Sequence, residues 1–93
     1  MHIGALEVRL HIPESHSLKD KRQVIRSILD RARSRYKVAA AEVDDQDKHQ
    51  TAVLGFASVS GSHQHAREVV QKLLDGLLQH PIARVIEHEL ESL

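Results

Sequence analysis

The first segment of the chain alternates between apolar and polar residues, as a strand with one buried face does. Its apolar positions are Gly4, Leu6, Val8, Leu10 and Ile12. Pro13 ends this strand. Ser17 and Asp20 then have the spacing of a capping box, which predicts the start of a helix. Apolar residues recur at helical spacing up to Tyr36, so we predict a helix from Leu18 to Arg35.

The next three segments are two strands and a second helix. Lys37–Val43 predicts a short strand, chiefly from its position before an acidic turn, and Thr51–Ser60 predicts a longer one. After Gly61, apolar residues return at helical spacing and predict a second helix that ends near His80 and Pro81. They are Ala66, Val69, Val70, Leu73, Leu74, Leu77 and Leu78.

The last segment, Ala83–Leu90, predicts a fourth strand, although Ile86 interrupts its alternation. The order is therefore strand, helix, strand, strand, helix, strand. Two right-handed crossovers in one chain produce a four-stranded antiparallel sheet with both helices on one face. We predict an α+β ferredoxin-like sandwich that occupies residues 1–93 as a single domain.

This arrangement leaves the other face of the sheet without helices. The third strand carries apolar residues on both faces, with Val53, Ala57 and Val59 on one and Leu54 and Phe56 on the other. A homodimer through the open face or a sheet edge would cover them. The alternative is that these residues only pack under loops.

Composition narrows the class of protein. Hydrophobic residues make up 41% and charged residues 28%, which is globular, and 13 basic residues balance 13 acidic ones. Strong attraction of the whole molecule to nucleic acid or membrane is therefore not expected. The chain has no cysteine, no run of apolar residues long enough to span a membrane and no basic leader. We expect a cytoplasmic protein without a cofactor.

Charge is concentrated on the first helix. Eight basic residues and two acidic ones lie between Lys19 and Lys37, a local charge of +6. On a helical wheel, one flank collects Lys19, Arg22, Arg26, Arg33 and Lys37. Such a stripe could follow a phosphate backbone. The structural alternative is a solvated face whose last cations complement the helix dipole.

Lys21 lies inside the apolar sector of the same helix. A lysine there must extend outwards or meet a carboxylate, because an unpaired buried ammonium is costly. We predict a structural ion pair with Glu42 or Asp44.

The turn after the second strand is rich in possible metal ligands. Four carboxylates and one imidazole lie within eight residues, from Glu42, Asp44, Asp45, Asp47 and His49. Asp44, Asp47 and His49 could hold a divalent cation, with His63 and His65 of a dimer mate as further ligands. The spacing does not match a calcium loop, so a polar turn is the alternative. No motif of a known enzyme class occurs, and no metal site is assigned.

Two stretches, Ser15–Arg22 and Ala41–Asp47, followed by Ala52–Gly55, resemble the YlxP-like family of small bacterial proteins, a domain family of unknown function. The resemblance implies a ferredoxin-like fold and a bacterial cytoplasmic protein whose gene often lies among genes for translation initiation and ribosome maturation. It also implies a cluster of shared positions between the start of helix one and the acidic turn. These positions are Ser17, Leu18, Lys19, Lys21, Arg22, Glu42, Asp44, Gln46 and Asp47. His49 and Thr51 depart from the family pattern, where Trp and Arg are common.

Three functional hypotheses follow. The leading one is a non-enzymatic module that binds RNA or a ribosomal assembly through the basic stripe, without sequence-specific DNA binding. The second is a metal-binding protein or metal-dependent enzyme that uses the turn from Asp44 to His49. The third is an oligomeric protein-interaction domain.

Overall fold

The computed structural model describes all 93 residues. It contains four strands and two α-helices in the predicted order. They are β1 His2–His11, α1 Leu18–Arg31, β2 Ala39–Asp44, β3 Thr51–Ser60, α2 His63–Leu78 and β4 Arg84–Ser92. The sheet has the order β2-β3-β1-β4, and every neighbouring pair is antiparallel. The predicted four-stranded βαββαβ sandwich is therefore confirmed.

One apolar core lies between the sheet and the two helices. β1 contributes Leu6, Val8 and Leu10, all buried, while the alternate side chains of the strand face the uncovered side. Phe56 and Leu54 of β3 point into the same core. The period-two alternation of the sequence thus decides which face of the sheet the helices cover.

The first helix is shorter than predicted. Its α-helical part ends at Arg31, and Ala32–Tyr36 form a π-helical turn that Lys37 closes in a left-handed conformation, with φ of 56°. A π turn holds more residues per turn than an α-helix, so side chains beyond it rotate away from the α-helical wheel. The prediction of a regular helix to Arg35 was wrong. The helical wheel therefore does not give the directions of the side chains at positions 33–37.

Strand boundaries also shift in part. β2 begins at Ala39 instead of Lys37, because the left-handed Lys37 still belongs to the turn out of the helix. β4 continues to Ser92, since Glu91 and Ser92 pair with the start of β1. The register of β4 against β1 slips near Ile86, and this irregularity accounts for its broken alternation.

His80 organises the turn from α2 into β4. Its Nδ1 accepts hydrogen bonds from the backbone N–H groups of Ile82 at 3.1 Å and Ala83 at 3.0 Å. Burial lowers the pKa of His80, and the Arg31 guanidinium lowers it further. The neutral ring therefore suits this turn, because a protonated Nδ1 could not accept either bond.

Neither helix is both long enough and apolar enough to cross a lipid bilayer.

The position of α2 over β1 depends on Gly4. An added Cβ at this residue would overlap the carbonyl group of Ala66 on α2, whereas a Cβ at Gly61 would meet nothing within 4 Å. The helix backbone approaches the strand closely only because residue 4 has no side chain.

We predict that Gly4→Ala lowers the free energy of unfolding by about 2 kcal/mol or more, because α2 must move off the sheet. Thermal and urea unfolding followed by circular dichroism measure this loss. Gly61→Ala is the matched control and should unfold close to the wild type. Equal stabilities of the two variants would contradict the close packing at Gly4.

Candidate functional site

The start of α1 is fixed by its cap. The Ser17 hydroxyl accepts a hydrogen bond from the backbone N–H of Asp20 at 3.1 Å. The Asp20 carboxylate accepts in turn from the N–H of His16 at 3.2 Å, one residue earlier than in a standard capping box. The predicted start of the helix at Leu18 is confirmed, and its first turn is held in place.

Lys21 is the most buried charged residue of the chain, with 0% of its surface exposed. Its ammonium lies 2.8 Å from Oε2 of Glu42 on β2 and donates a hydrogen bond to the carbonyl oxygen of Asp45. The predicted ion pair is confirmed, with Glu42 as the partner. This ammonium ties α1 to β2 and to the turn that follows it.

The Glu42 carboxylate depends on this cation. Its Oε2 is buried, and no donor reaches it with good hydrogen-bond geometry, so the close ammonium is its only compensation. Removal of one member of a buried ion pair leaves the other charge without a partner. The pair is therefore a structural clamp with little tolerance for substitution.

Asp45 is the centre of a second group of contacts in the same turn. Its backbone is left-handed, with φ of 60°, and its carboxylate is 2.7 Å from Arg9 and 3.4 Å from Lys48. The Thr51 hydroxyl donates to it at 3.2 Å. Burial alone would raise the pKa of Asp45, but the Lys48 ammonium, the Thr51 hydroxyl and Arg9 outweigh burial and hold that pKa below its ordinary value.

The turn is also fastened to the loop before α1. The Gln50 side-chain amide donates to the carbonyl oxygens of Pro13 at 3.2 Å and Ser15 at 3.1 Å. Ser15 is buried, and its hydroxyl donates to the Ser17 carbonyl. The two loops at this end of the molecule therefore form one packed unit.

The family-motif cluster is thus partly brought together. Ser17 caps the helix that carries Lys21, and Lys21 reaches Glu42, while Leu18 is half-buried at the first turn. The Asp44 carboxylate accepts from the N–H of Asp45 at 2.8 Å, and the Gln46 amide reaches the Glu42 carbonyl at 3.4 Å. Asp47 is exposed and makes no ion pair. Most contacts of these residues stabilise the first turn of α1 and the turn after β2.

Sequence reasoning missed the roles of Arg9, Gln50 and Thr51. Arg9 lies on β1, 36 residues from Asp45 along the chain, and no local pattern relates the two. Asp45 itself offered one signal, because Asp is among the few residues that adopt left-handed backbone readily.

The acidic turn does not assemble a metal centre. No group of three His, Asp or Glu side chains lies close enough together to hold an ion. The Asp45 carboxylate already faces two cations. His63 packs edge-on against His2 at 5.7 Å between ring centroids. The geometry gives the metal hypothesis no support within one chain.

The basic residues of the first helix divide into two groups. Lys19, Arg22 and Arg26 are exposed and form no ion pair within the chain. Arg33 instead lies 3.4 Å from Asp30 and donates to the carbonyl oxygen of Ala40 on β2 at 2.6 Å. Lys37 is exposed but lies beyond the π turn. We call Lys19, Arg22 and Arg26 the cationic flank.

The open face of the sheet has a shallow trough of about 500 Å³. Its floor consists of the small residues Ala5, Ala39, Ala41, Gly55 and Ala57. Glu7, Glu89 and Glu91 line the side nearest β4, and none of them has an ion-pair partner in the chain. Val43 and Val59 remain 47% and 65% exposed, so the predicted open face is apolar towards β2 and acidic towards β4.

The chain is similar to known proteins in sequence and in fold. Residues 3–90 match the model of a family described as "Protein of unknown function (DUF503)". The chain is 35% identical over 72 residues to the "Uncharacterized protein YlxP" of Bacillus subtilis (strain 168), covering 77% of this chain and 78% of that protein. A de novo designed protein with ferredoxin fold, solved by solution NMR, superposes with a TM-score of 0.52 at 10% identity. That superposition covers 100% of this chain and 84% of the designed chain, and it shows the fold alone.

We predict that Lys21→Met lowers the free energy of unfolding by about 3 kcal/mol, because Glu42 and the Asp45 carbonyl lose their cation. Urea unfolding measures the loss, and Lys19→Met, an exposed change two residues earlier, should have little effect. Adding Glu42→Gln to Lys21→Met should restore part of the stability. If Lys21→Met were as stable as Lys19→Met, the clamp would not exist.

We predict that the Asp45 carboxylate makes the stability depend on acidic pH. Its pKa is lower in the folded chain, so the unfolded chain takes up the proton first as pH falls. The stabilisation is complete above the ordinary Asp value of about 4 and is lost as pH falls through the folded value. Asp45→Asn should be less stable than wild type at pH 7, and the difference should shrink towards pH 2. Asp47→Asn is the matched control, and a constant difference for Asp45→Asn across this range would contradict the prediction.

Proposed function

The chain belongs to the family described as "Protein of unknown function (DUF503)", and we propose that it is a non-enzymatic module that binds RNA. The description of the family names no activity. The proposed contact is the phosphate backbone, met by the cationic flank of α1. A cytoplasmic ribosomal assembly, which exposes such backbone, is the proposed setting.

The single observation that carries this proposal is the state of Lys19, Arg22 and Arg26. All three are exposed, lie on one side of α1 and have no acidic partner in the chain. Lys21 and Ile25 anchor the adjoining side of the helix in the core, so the flank is held at the surface in a fixed direction. Unpaired cations on a rigid helix are suited to binding an extended anion.

The helix dipole helps to separate this function from the structural alternative. Cations stabilise the last turn of a helix and are unfavourable in the first turn. Arg31 in the last turn of α1 fits the structural explanation. Lys19 and Arg22 lie near the positive end of the helix, where helix stability gives no reason for them. Binding of an anion does give such a reason.

The chemistry favours recognition of the backbone over recognition of bases. Sheet modules that stack bases use exposed Phe or Tyr rings, whereas the one Phe of this chain is buried and its one Tyr is half-buried. Lys and Arg contacts to phosphate carry no sequence information. We therefore propose sequence-independent binding whose affinity falls steeply with salt.

We predict that Arg22→Glu/Arg26→Glu weakens RNA binding at low salt by at least tenfold. The two reversed charges remove two phosphate contacts and repel the strand. Each lost contact lowers the slope of log affinity against log salt by about 0.7 for a single strand. Fluorescence anisotropy with a labelled single-stranded RNA measures both quantities, and co-sedimentation with ribosomes tests the larger assembly.

Arg67→Glu/Lys72→Glu is the matched control, because it places the same charge change on exposed positions of α2. This control should retain the wild-type slope and most of the affinity. Equal losses in the two variants would mean that only net charge matters. Unchanged binding of Arg22→Glu/Arg26→Glu would remove the proposal.

A further inference from the structure

The outer edge of β2 exposes the backbone groups of two residues. Ile12 donates to the Gln50 carbonyl, so the β1–β3 register directs the backbone groups of the even-numbered β3 residues to β1 and those of Gly55 and Ala57 to β2. Ala39 and Ala41, which lie opposite Ala57 and Gly55, therefore form the hydrogen-bonded pairs of β2 with β3. Successive residues of a strand direct their backbone groups to opposite sides, so Ala40 and Glu42 direct theirs away from the sheet. An exposed edge of this kind can pair with another strand.

Both outward carbonyl oxygens of this edge are occupied by side chains of the same chain. Arg33 donates to the Ala40 carbonyl at 2.6 Å, and Gln46 donates to the Glu42 carbonyl at 3.4 Å. Arg33 comes from the π turn before β2, and Gln46 comes from the turn after it. We call these two side chains the edge guards. With both carbonyl oxygens occupied, the edge offers a partner strand only its two N–H groups. A partner strand needs free carbonyl acceptors as well as free N–H donors.

The edge is complementary to a second copy of itself. If two β2 strands pair antiparallel about a two-fold axis at Ala41, Ala40 of each copy lies opposite Glu42 of the other, and each of these pairs exchanges two N–H to O bonds. The two Glu42 carboxylates are then not opposite each other. Ala41 meets its own copy at the axis, where a methyl group fits the short distance between strands.

The side chains of this register also match across the axis. Val43 lies opposite Ala39 of the other copy, on the open face of the sheet. Val43 is 47% exposed in the single chain, and this pairing would cover it. The small-residue floors of the two troughs would become continuous, while the acidic sides at β4 would stay at the outer ends.

We propose that the β2 edge is a docking site for the β2 edge of a second copy, that the edge guards keep it closed, and that polyanion binding opens it. The last part rests on the proposed function. Arg33 is the connecting residue, because its guanidinium is exposed and donates to an outward carbonyl oxygen of the edge, whereas Lys21 is buried and contacts only the Glu42 side chain there. A phosphate that binds Arg33 competes with the Ala40 carbonyl for the N–H donors of this guanidinium.

The polyanion has a second effect on the same interface. Lys21 holds α1 against β2, so pairing of two β2 strands brings the two cationic flanks towards each other. Their mutual repulsion opposes the dimer at low salt. An RNA strand that lies across both flanks neutralises this repulsion, and a second copy then completes the sheet.

Sedimentation equilibrium at low salt tests the guarded edge without any RNA. We expect Arg33→Ala/Gln46→Ala to self-associate at least tenfold more tightly than the wild type. The matched control is Gln64→Ala/Arg67→Ala on α2, which should behave as the wild type does. Adding Ala41→Lys to the guard variant places two ammonium groups at the axis and should abolish the gain. Ala41 is exposed and lies on the open face, so this change does not disturb the core.

A guard variant that associates no more tightly than the wild type, or a gain that survives Ala41→Lys, would overturn the proposed interface. A second series adds a short single-stranded RNA to the wild type and to Ala41→Lys. We expect RNA to tighten wild-type association at least tenfold and to leave Ala41→Lys monomeric. RNA that binds without tightening association would overturn the opening step. Failure of RNA to bind at all removes the proposed function and the opening step but leaves the readout of the guard variants unchanged.

Discussion

The Lys21 ammonium sets the geometry on which the rest of the molecule depends. A cation without solvent exposure is tolerated only where an anion and a backbone acceptor meet it, and Glu42 and the Asp45 carbonyl supply both. These contacts fix the rotation of α1 about its axis and its position against β2. They also hold the turn after β2, where Asp45 gathers Arg9, Lys48 and Thr51. One buried charge therefore orients an entire surface.

The surface that results has two parts with different chemistry. On α1, the fixed rotation directs Lys19, Arg22 and Arg26 outwards without acidic partners. Beside it, the edge of β2 is covered by Arg33 and Gln46. In the sequence, Arg33 belongs to the basic segment between Lys19 and Lys37. In the structure, its guanidinium contacts the edge of β2. A single guanidinium can thus couple the binding of an anion to the availability of a strand, because a phosphate and the Ala40 carbonyl compete for its donors.

Much of this could be read from the sequence, and the limits have physical causes. Alternation in β1 and helical spacing in α1 and α2 predict a sheet covered by two helices, because both patterns result from the burial of one face of each element. The pairing of Lys21 followed from the cost of a buried ammonium. The π turn at Ala32–Tyr36 has no local signature, so the helical wheel placed Arg33 on one stripe with Arg22 and Arg26, whereas its guanidinium contacts the Ala40 carbonyl. The link between Arg9 and Asp45 depends on strand order, which only the folded sheet creates.

The most direct test of the account is a nuclear magnetic resonance titration of the ¹⁵N-labelled protein with a short single-stranded RNA at low salt. We expect the amides that shift first to lie on α1, around Lys19, Arg22 and Arg26, while those of α2 and the acidic side of β4 stay in place. Shifts confined to the open sheet face around Glu7 and Ala57, or an unchanged spectrum at saturating RNA, would contradict it.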